Sequence, residues 1–283
     1  MGDVIMIGTE ALAAKFPQLS DVTDFRTGGQ KKVYSAVHPT YGKVALKLIV
    51  PSAQFERVER EIDVVKRLNL LNVPKIHETG FVEFPEGRLF YMLEQLVDGV
   101  SLREKYPADS KMSKDEAMKL LDTMLTVIES LELGHVIHRD IKPENILVGA
   151  DGAYWLIDFG AARDMDGSTL TMTGKCAPLT PGYAAPEQFK AELRNQLDSR
   201  ADLFALGVTT YEMLSGSNPF VRTDYSPYDV LRSTVVETAD TLDIPGDERG
   251  ELAGFVKTLM QKSPSFRPRS AKLAHTIFNA LST

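Results

Sequence analysis

His138-Arg139-Asp140-Ile141-Lys142-Pro143-Glu144-Asn145, running on into the apolar Ile146-Leu147-Val148, decides how the rest of this chain is read. Thirteen residues beyond Asn145 stands Asp158-Phe159-Gly160, entered from a short apolar strand, Tyr154–Ile157. Together the two stretches set two carboxylates, an amide and an ammonium on neighbouring loops that flank strands. Asp158 and Asn145 are hard oxygen ligands of the kind Mg²⁺ takes, a cation that keeps several waters and shares phosphate oxygens. Asp140 is free to accept a proton or orient a hydroxyl, and Lys142 can neutralise charge on a moving phosphoryl group.

Upstream of this stretch the chain reads mostly as strands. Lys32–Val37 and Lys43–Val50 are β-branched or apolar and are separated by the turn residues His38-Pro39-Thr40-Tyr41-Gly42. Lys75–Val82 and Leu89–Leu93 form a second pair, broken at Pro85-Glu86-Gly87. Between the pairs, apolar Phe55, Val58, Ile62, Val65 and Leu68 recur at three- and four-residue steps, which predicts a helix from about Gln54 to Leu68. From Ser101 onward helices dominate. Ser113-Lys114-Asp115-Glu116 reads as a capping box opening a long helix, and further helices are predicted at Ser199–Leu214, Glu248–Gln261 and Ala271–Leu281. A strand-rich small lobe followed by a helical large lobe is an α+β arrangement, with its junction at Glu94–Gly99 and a crevice between the lobes for a ligand.

Composition removes several classes. Gly and Pro number 20 and 15 of 283 residues, too few for a disordered or collagen-like chain, so a packed protein is expected. The net charge of −7 argues against non-specific nucleic-acid binding and against attraction to an anionic membrane. The lone cysteine, Cys176, cannot form an internal disulfide, which favours the reducing cytoplasm. No apolar run approaches the ~20 residues of a membrane-spanning helix. Met1-Gly2-Asp3-Val4-Ile5-Met6 lacks a basic signal-peptide start. These readings converge on a soluble cytoplasmic protein without membrane insertion.

With both motifs at this spacing and in this strand context, the chain resembles the eukaryotic-type (Hanks-type) protein kinases, whose motif set is established as a template. The Lys142 form of the loop resembles the serine/threonine branch, and Ala185-Pro186-Glu187-Gln188 points toward its bacterial members. The resemblance runs from about Asp24 to Phe278. It implies a bilobal fold, with an antiparallel small lobe over residues 24–95, a hinge at about 94–99 and a helical lobe over 100–283. Residues 1–23 fall outside it, as either a packed extension or a partner-binding arm. It also implies ATP and Mg²⁺ as cofactors and protein substrates as partners.

The resemblance assigns residues as well. Val44-Ala45-Leu46-Lys47 matches the phosphate-lysine strand, and alternation puts Ala45 and Lys47 on one face and Val44, Leu46 and Leu48 on the other. Lys47 would pair with Glu61 of the small-lobe helix and hold the ATP phosphates. Adenine would lie between Val33 and Ala45 above and Leu147 below, with backbone near Glu94 and Leu96 reading its edge; Glu94 and Gln95 both fit the hinge acid. The glycine-rich loop departs from the family. Counting back from Val33, its glycine positions hold Arg26, Gly28 and Lys31, so only Gly28 is retained. Glu187 would pair with a buried Arg267, Asp202 would orient the catalytic loop, and Thr180 would hydrogen-bond Asp140 and Lys142.

Arg57, Arg139 and Arg163 occupy the three places from which basic residues converge on a phosphorylated activation loop in such kinases, with Thr171 and Thr173 the favoured acceptors. Two other whole-protein readings stand beside the kinase: a nucleotide-binding pseudokinase scaffold, suggested by the glycine loop, and a small-molecule phosphotransferase, opposed by Thr180–Glu187 and Arg267.

Overall fold

The computed structural model describes residues 7–28, 31–51, 62–63, 65–85, 87–158 and 180–281. Glu61, Arg57, Arg163, Thr171 and Thr173 lie outside the described residues, as do Phe159 and Gly160.

A short helix, α1 (Thr9–Lys15), leads into β1 (Ser20–Gly28), β2 (Lys31–His38) and β3 (Gly42–Ile49); helical residues at 62–63 and 65–68 precede β4 (Ile76–Phe84) and β5 (Gly87–Gln95). These strands form one antiparallel sheet in the order β1-β2-β3-β5-β4. β3 lies at its centre, with Lys47 opposite Val33 on one side and Met92 on the other. Such a strand is covered on both faces, and its alternation falls as predicted. Val44, Leu46 and Leu48 join Tyr34, Ala36, Phe84, Leu89 and Leu93 in a core on the outer face, whereas Ala45 and Lys47 are buried on the other.

That outer core is closed by the chain's own beginning. Ile7, Leu12, Phe16 and Leu19 are buried in it, Tyr34 Oη donates to the Ile7 carbonyl at 2.8 Å, and Phe16 meets Tyr91 edge-on at 5.0 Å. Residues 7–19 therefore act as a lid on the sheet rather than as an arm held away from it.

The large lobe begins with β6 (Gly99–Ser101) and a single turn, α2 (Leu102–Lys105), followed by the long α3 (Lys114–Leu133). The predicted capping box is present, with Ser113 Oγ accepting from the Glu116 N–H and Glu116 bonding back to Ser113. A second box, Ser101 with Glu104, fixes α2. β6 pairs with β7 (Ile146–Gly149), and β7 with β8 (Tyr154–Leu156), so a small sheet carries the loops that precede and follow it. Behind it, α4 (Ser199–Ser215) is buried on nearly every side, as befits a helix at the centre of a lobe. Around it lie α5 (Pro227–Val236), α6 (Glu251–Leu259) and α7 (Ala271–Leu281).

α6 starts three residues later than predicted. The Asp247 carboxylate accepts from the Leu252 and Ala253 N–H groups, and Gly250, in the left-handed region at φ 67°, makes the turn into the helix. Among the described residues no helix is long and apolar enough to cross a membrane.

Candidate active site

The loop between α3 and β7 is built around a histidine that the protein interior keeps neutral. His138 is fully buried; its Nδ1 accepts from the Asp140 N–H at 3.3 Å, which leaves Nε2 to donate to the Ile157 carbonyl at 3.1 Å. Burial pushes its pKa down to about 4. Asp202, on the first turn of α4, accepts from the His138 and Arg139 N–H groups, both at 2.8 Å. These two bonds hold Arg139 in the left-handed backbone region at φ 67°, a conformation that costs a non-glycine residue energy. Burial raises the Asp202 carboxyl to about 6 despite those bonds.

Three groups then converge on Asp140. Thr180 Oγ1 donates to Oδ1 at 2.8 Å, Lys142 Nζ stands 3.0 Å from Oδ2, and Asn145 Nδ2 donates to Oδ2 and to the Asp140 carbonyl, both at 2.8 Å. Lys142 also donates to Thr180 Oγ1 at 2.9 Å. Asp140, Lys142 and Asn145 are all buried. With its amide nitrogen committed in this way, Asn145 turns its amide oxygen away from Asp140. The Asn145 carbonyl accepts from the Ile157 N–H at 2.9 Å, tying this loop to the one that carries Asp158. Asp158 is itself left-handed, at φ 59°.

Across the crevice Lys47 reaches Asp158 Oδ1 at 2.7 Å, so the two motifs and the small lobe meet at one point. Val33, which pairs with Lys47 across β2 and β3, is buried, as are Ala45 and Leu147. Burial alone would lower the Lys47 pKa, but the Asp158 and Glu94 carboxylates outweigh it and raise it.

Two expectations change at the hinge. Glu94 is the last inward-facing residue of β5, opposite Ala45, and its carboxylate lies 2.6 Å from Lys47 Nζ instead of at the hinge edge. The Leu96 N–H donates to the Lys43 carbonyl at 3.2 Å and the Gln95 N–H to the Lys75 carbonyl at 2.8 Å. Leu96 thus spends on the sheet the donor expected to read a base, because β5 stays paired with β3 through Gln95, two residues past the Leu93 at which the sequence pattern ends.

Arg267 meets Glu187 twice, Nη1–Oε1 at 2.6 Å and Nη2–Oε2 at 2.9 Å, and its other donors reach the Gln261, Arg200 and Lys262 carbonyls. Sequence reasoning missed the adjoining network. Arg103 donates to Glu144 at 2.8 Å, to Glu212 at 2.7 Å and to Tyr183 Oη at 2.7 Å, and Tyr183 also donates to Glu212. Gln188 Nε2 donates to the Arg139 carbonyl at 3.1 Å. Tyr183 lies within Thr180–Glu187 and Gln188 follows Glu187, the one signal that could have found them; Arg103 and Glu212 carry none.

The combination of a buried lysine, a His-Arg-Asp loop pinned by a helix aspartate and a closing Glu–Arg pair coincides with one sequence family. The chain belongs to the protein kinase domain family. The family's pattern matches residues 25–278. Among curated relatives, a probable serine/threonine-protein kinase of Streptomyces coelicolor is 32% identical over 253 residues, covering 86% of this chain and 37% of that protein. The serine/threonine-protein kinase PknB of Mycobacterium leprae is 29% identical over 265 residues, covering 90% and 41%. The chain thus spans about two fifths of the length of these relatives. The crystal structure of the Mycobacterium tuberculosis PknI kinase domain shares the fold, with a TM-score of 0.65 at 21% identity over 94% of this chain and 98% of that one.

Proposed function

We propose that this kinase domain transfers the γ-phosphate of ATP to serine and threonine hydroxyls of protein substrates, with Mg²⁺ as the metal. The observation that carries the reading is the convergence of the Thr180 hydroxyl and the Lys142 ammonium on Asp140, beside a Lys47–Asp158 contact. A substrate hydroxyl entering here meets a carboxylate already oriented by three donors, and a phosphoryl group beside it meets the Lys142 charge.

The donor set suits the metal. Among the described residues no three His, Cys, Asp or Glu side chains form a cage. One carboxylate oxygen of Asp158 and the amide oxygen of Asn145 fit a cation that keeps waters and takes its remaining oxygens from phosphates. When bound, it would neutralise charge on the phosphate oxygens. The chain's own groups do the rest: Asp140 orients the attacking hydroxyl and accepts its proton, Lys47 holds the α- and β-phosphates, and Val33, Ala45 and Leu147 enclose the base.

Phosphorylation at Thr171 or Thr173, bridged by Arg57, Arg139 and Arg163, is the control that the sequence supports. The lone cysteine and acidic balance favour a cytoplasmic setting and substrates other than nucleic acid. Incubation with γ-labelled ATP, Mg²⁺ and a generic protein acceptor tests the reading: the wild type labels the acceptor, and Asp140→Asn and Asp158→Ala do not.

A further inference from the structure

A cavity of about 250 Å³ lies in the large lobe, walled by the end of α4, by α6 and by the irregular segment 238–242. None of its walls belongs to the loops that carry Asp140 and Asp158. The sequence of α6 explains the space. Gly250, Ala253 and Gly254 recur at three- and four-residue steps, so this face presents almost no side chain to the cavity. A Cβ added at Gly250 or Gly254 would meet nothing within 4 Å. At Gly207, one turn before Tyr211 on α4, an added Cβ would instead strike Leu259 at 2.8 Å and Met260 at 2.9 Å. α4 and α6 therefore touch at Gly207 and leave a gap at Tyr211. Lys262 ties this wall to α5: its ammonium donates to the Thr234 carbonyl at 2.6 Å and lies 3.6 Å from the centre of the Phe220 ring.

Tyr211 brings a polar group without a partner to this gap. It is only 8% exposed and lines the cavity, yet its hydroxyl makes no hydrogen bond to any described residue. Buried tyrosine hydroxyls are normally bonded. Burial, and then the nearby Asp240 carboxylate, push its pKa up, so it stays a neutral phenol. Asp240 lines the same cavity and shares no hydrogen bond with that hydroxyl. Two oxygens thus face one space with no donor between them. Of the cations that line the cavity, Lys262 is already engaged with Thr234 and Phe220, and Lys257 is exposed to water.

We propose that this cavity binds a small, flat aromatic amine, with its ring on the bare face of α6 and its amino group between Tyr211 Oη and the Asp240 carboxylate. The amino hydrogens donate to both oxygens, while Ala239, Leu242 and Met260 supply apolar walls for the ring. The same ring bearing a carboxylate would set like charges together at Asp240 and is disfavoured.

Calorimetric titration with tryptamine, and with indole-3-acetate as the same ring of opposite charge, tests this. Tryptamine binds the wild type, and indole-3-acetate binds at least roughly tenfold more weakly. Tyr211→Phe deletes one hydrogen bond to the amine and weakens tryptamine roughly tenfold. Gly254→Leu fills the gap from α6 and abolishes binding. Its melting temperature stays at or above that of the wild type, because leucine forms helix better than glycine. Should Gly254→Leu fail to fold, the Tyr211→Phe comparison alone decides. No tryptamine binding by the wild type, equal affinity for the two probes, or undiminished binding by either variant overturns the proposal. The kinase reading rests on other residues and survives each of these results.

Discussion

Arg267 reaches Glu187 across 80 positions of sequence and meets it with both arms of its guanidinium, in a site where the arginine side chain is wholly enclosed. The pair fastens the segment ending in Glu187 to the loop before α7. Gln188, the next residue, bonds the Arg139 carbonyl, so the same clamp reaches the catalytic loop.

Removing one partner leaves a buried charge uncompensated. Glu187→Ala is expected to destabilise the large lobe by ~3–5 kcal/mol, whereas the double change Glu187→Leu with Arg267→Met should recover much of that loss. Chemical denaturation of the three proteins checks this. A Glu187→Ala protein as stable as wild type would show that the clamp is not structural.

Thr180 bridges Asp140 and Lys142 through one hydroxyl. Thr180→Val keeps the shape but removes the bridge, and kcat is expected to fall roughly 100-fold as Asp140 loses its fixed orientation. Thr180→Ser should stay within a few-fold of wild type. Steady-state kinetics on a protein acceptor distinguish the two, and equal activity of Val and Ser variants would remove Thr180 from the mechanism.

His138 supplies a pH signature. Its pKa falls from 6.5 to about 4 on folding because the ring is buried. The unfolded chain binds the proton more readily between those values, so this group's contribution to stability is complete above pH 6.5 and is lost as pH falls toward 4. Asp202, raised from 3.8 to about 6 by burial, has the opposite sign over nearly the same span: its neutral form is favoured in the fold, and it costs stability as pH rises. The two offset each other in any whole-protein melt. Proton NMR of the His138 ring reads it directly, and the expected result is a neutral ring down to about pH 4. A midpoint near 6.5 would contradict the buried, doubly bonded imidazole.

Leu12 of α1 is fully enclosed against the outer face of the small-lobe sheet. Leu12→Ala should therefore cost ~2–5 kcal/mol, as for other buried leucines, although it lies outside the stretch that resembles the family. Denaturant unfolding followed by a small-lobe probe measures it. A change below about 0.5 kcal/mol would mean that α1 does not brace the sheet.

What the sequence disclosed, and what it hid, follows from the range of each interaction. The loop from His138 to Asn145 was legible because its chemistry is packed into eight consecutive residues. The face of Lys47 was legible because strand alternation is local, and the Ser113 cap because a capping box spans four residues. β1 was missed: in Ser20–Gly28 only Val22 and Phe25 are large and apolar, too few to show alternation on an edge strand. α1 was missed because it is short and its N-cap, Gly8, offers no side-chain bond. α5 was overlooked although Ser226, Pro227 and Asp229 spell its start. The Glu94–Lys47 and Arg103–Glu212 contacts join positions far apart in sequence, which pattern reading along the chain cannot bring together.

The central claim is that one cleft aligns a protein hydroxyl with the terminal phosphorus of ATP. Its most direct test is phosphoamino-acid analysis of an acceptor protein labelled from γ-labelled ATP in the presence of Mg²⁺. Label on phosphoserine or phosphothreonine is predicted, with none when Asp140→Asn replaces the wild type or when a chelator removes the metal. Label on tyrosine alone, label on a small metabolite alone, or undiminished labelling by Asp140→Asn would contradict the account.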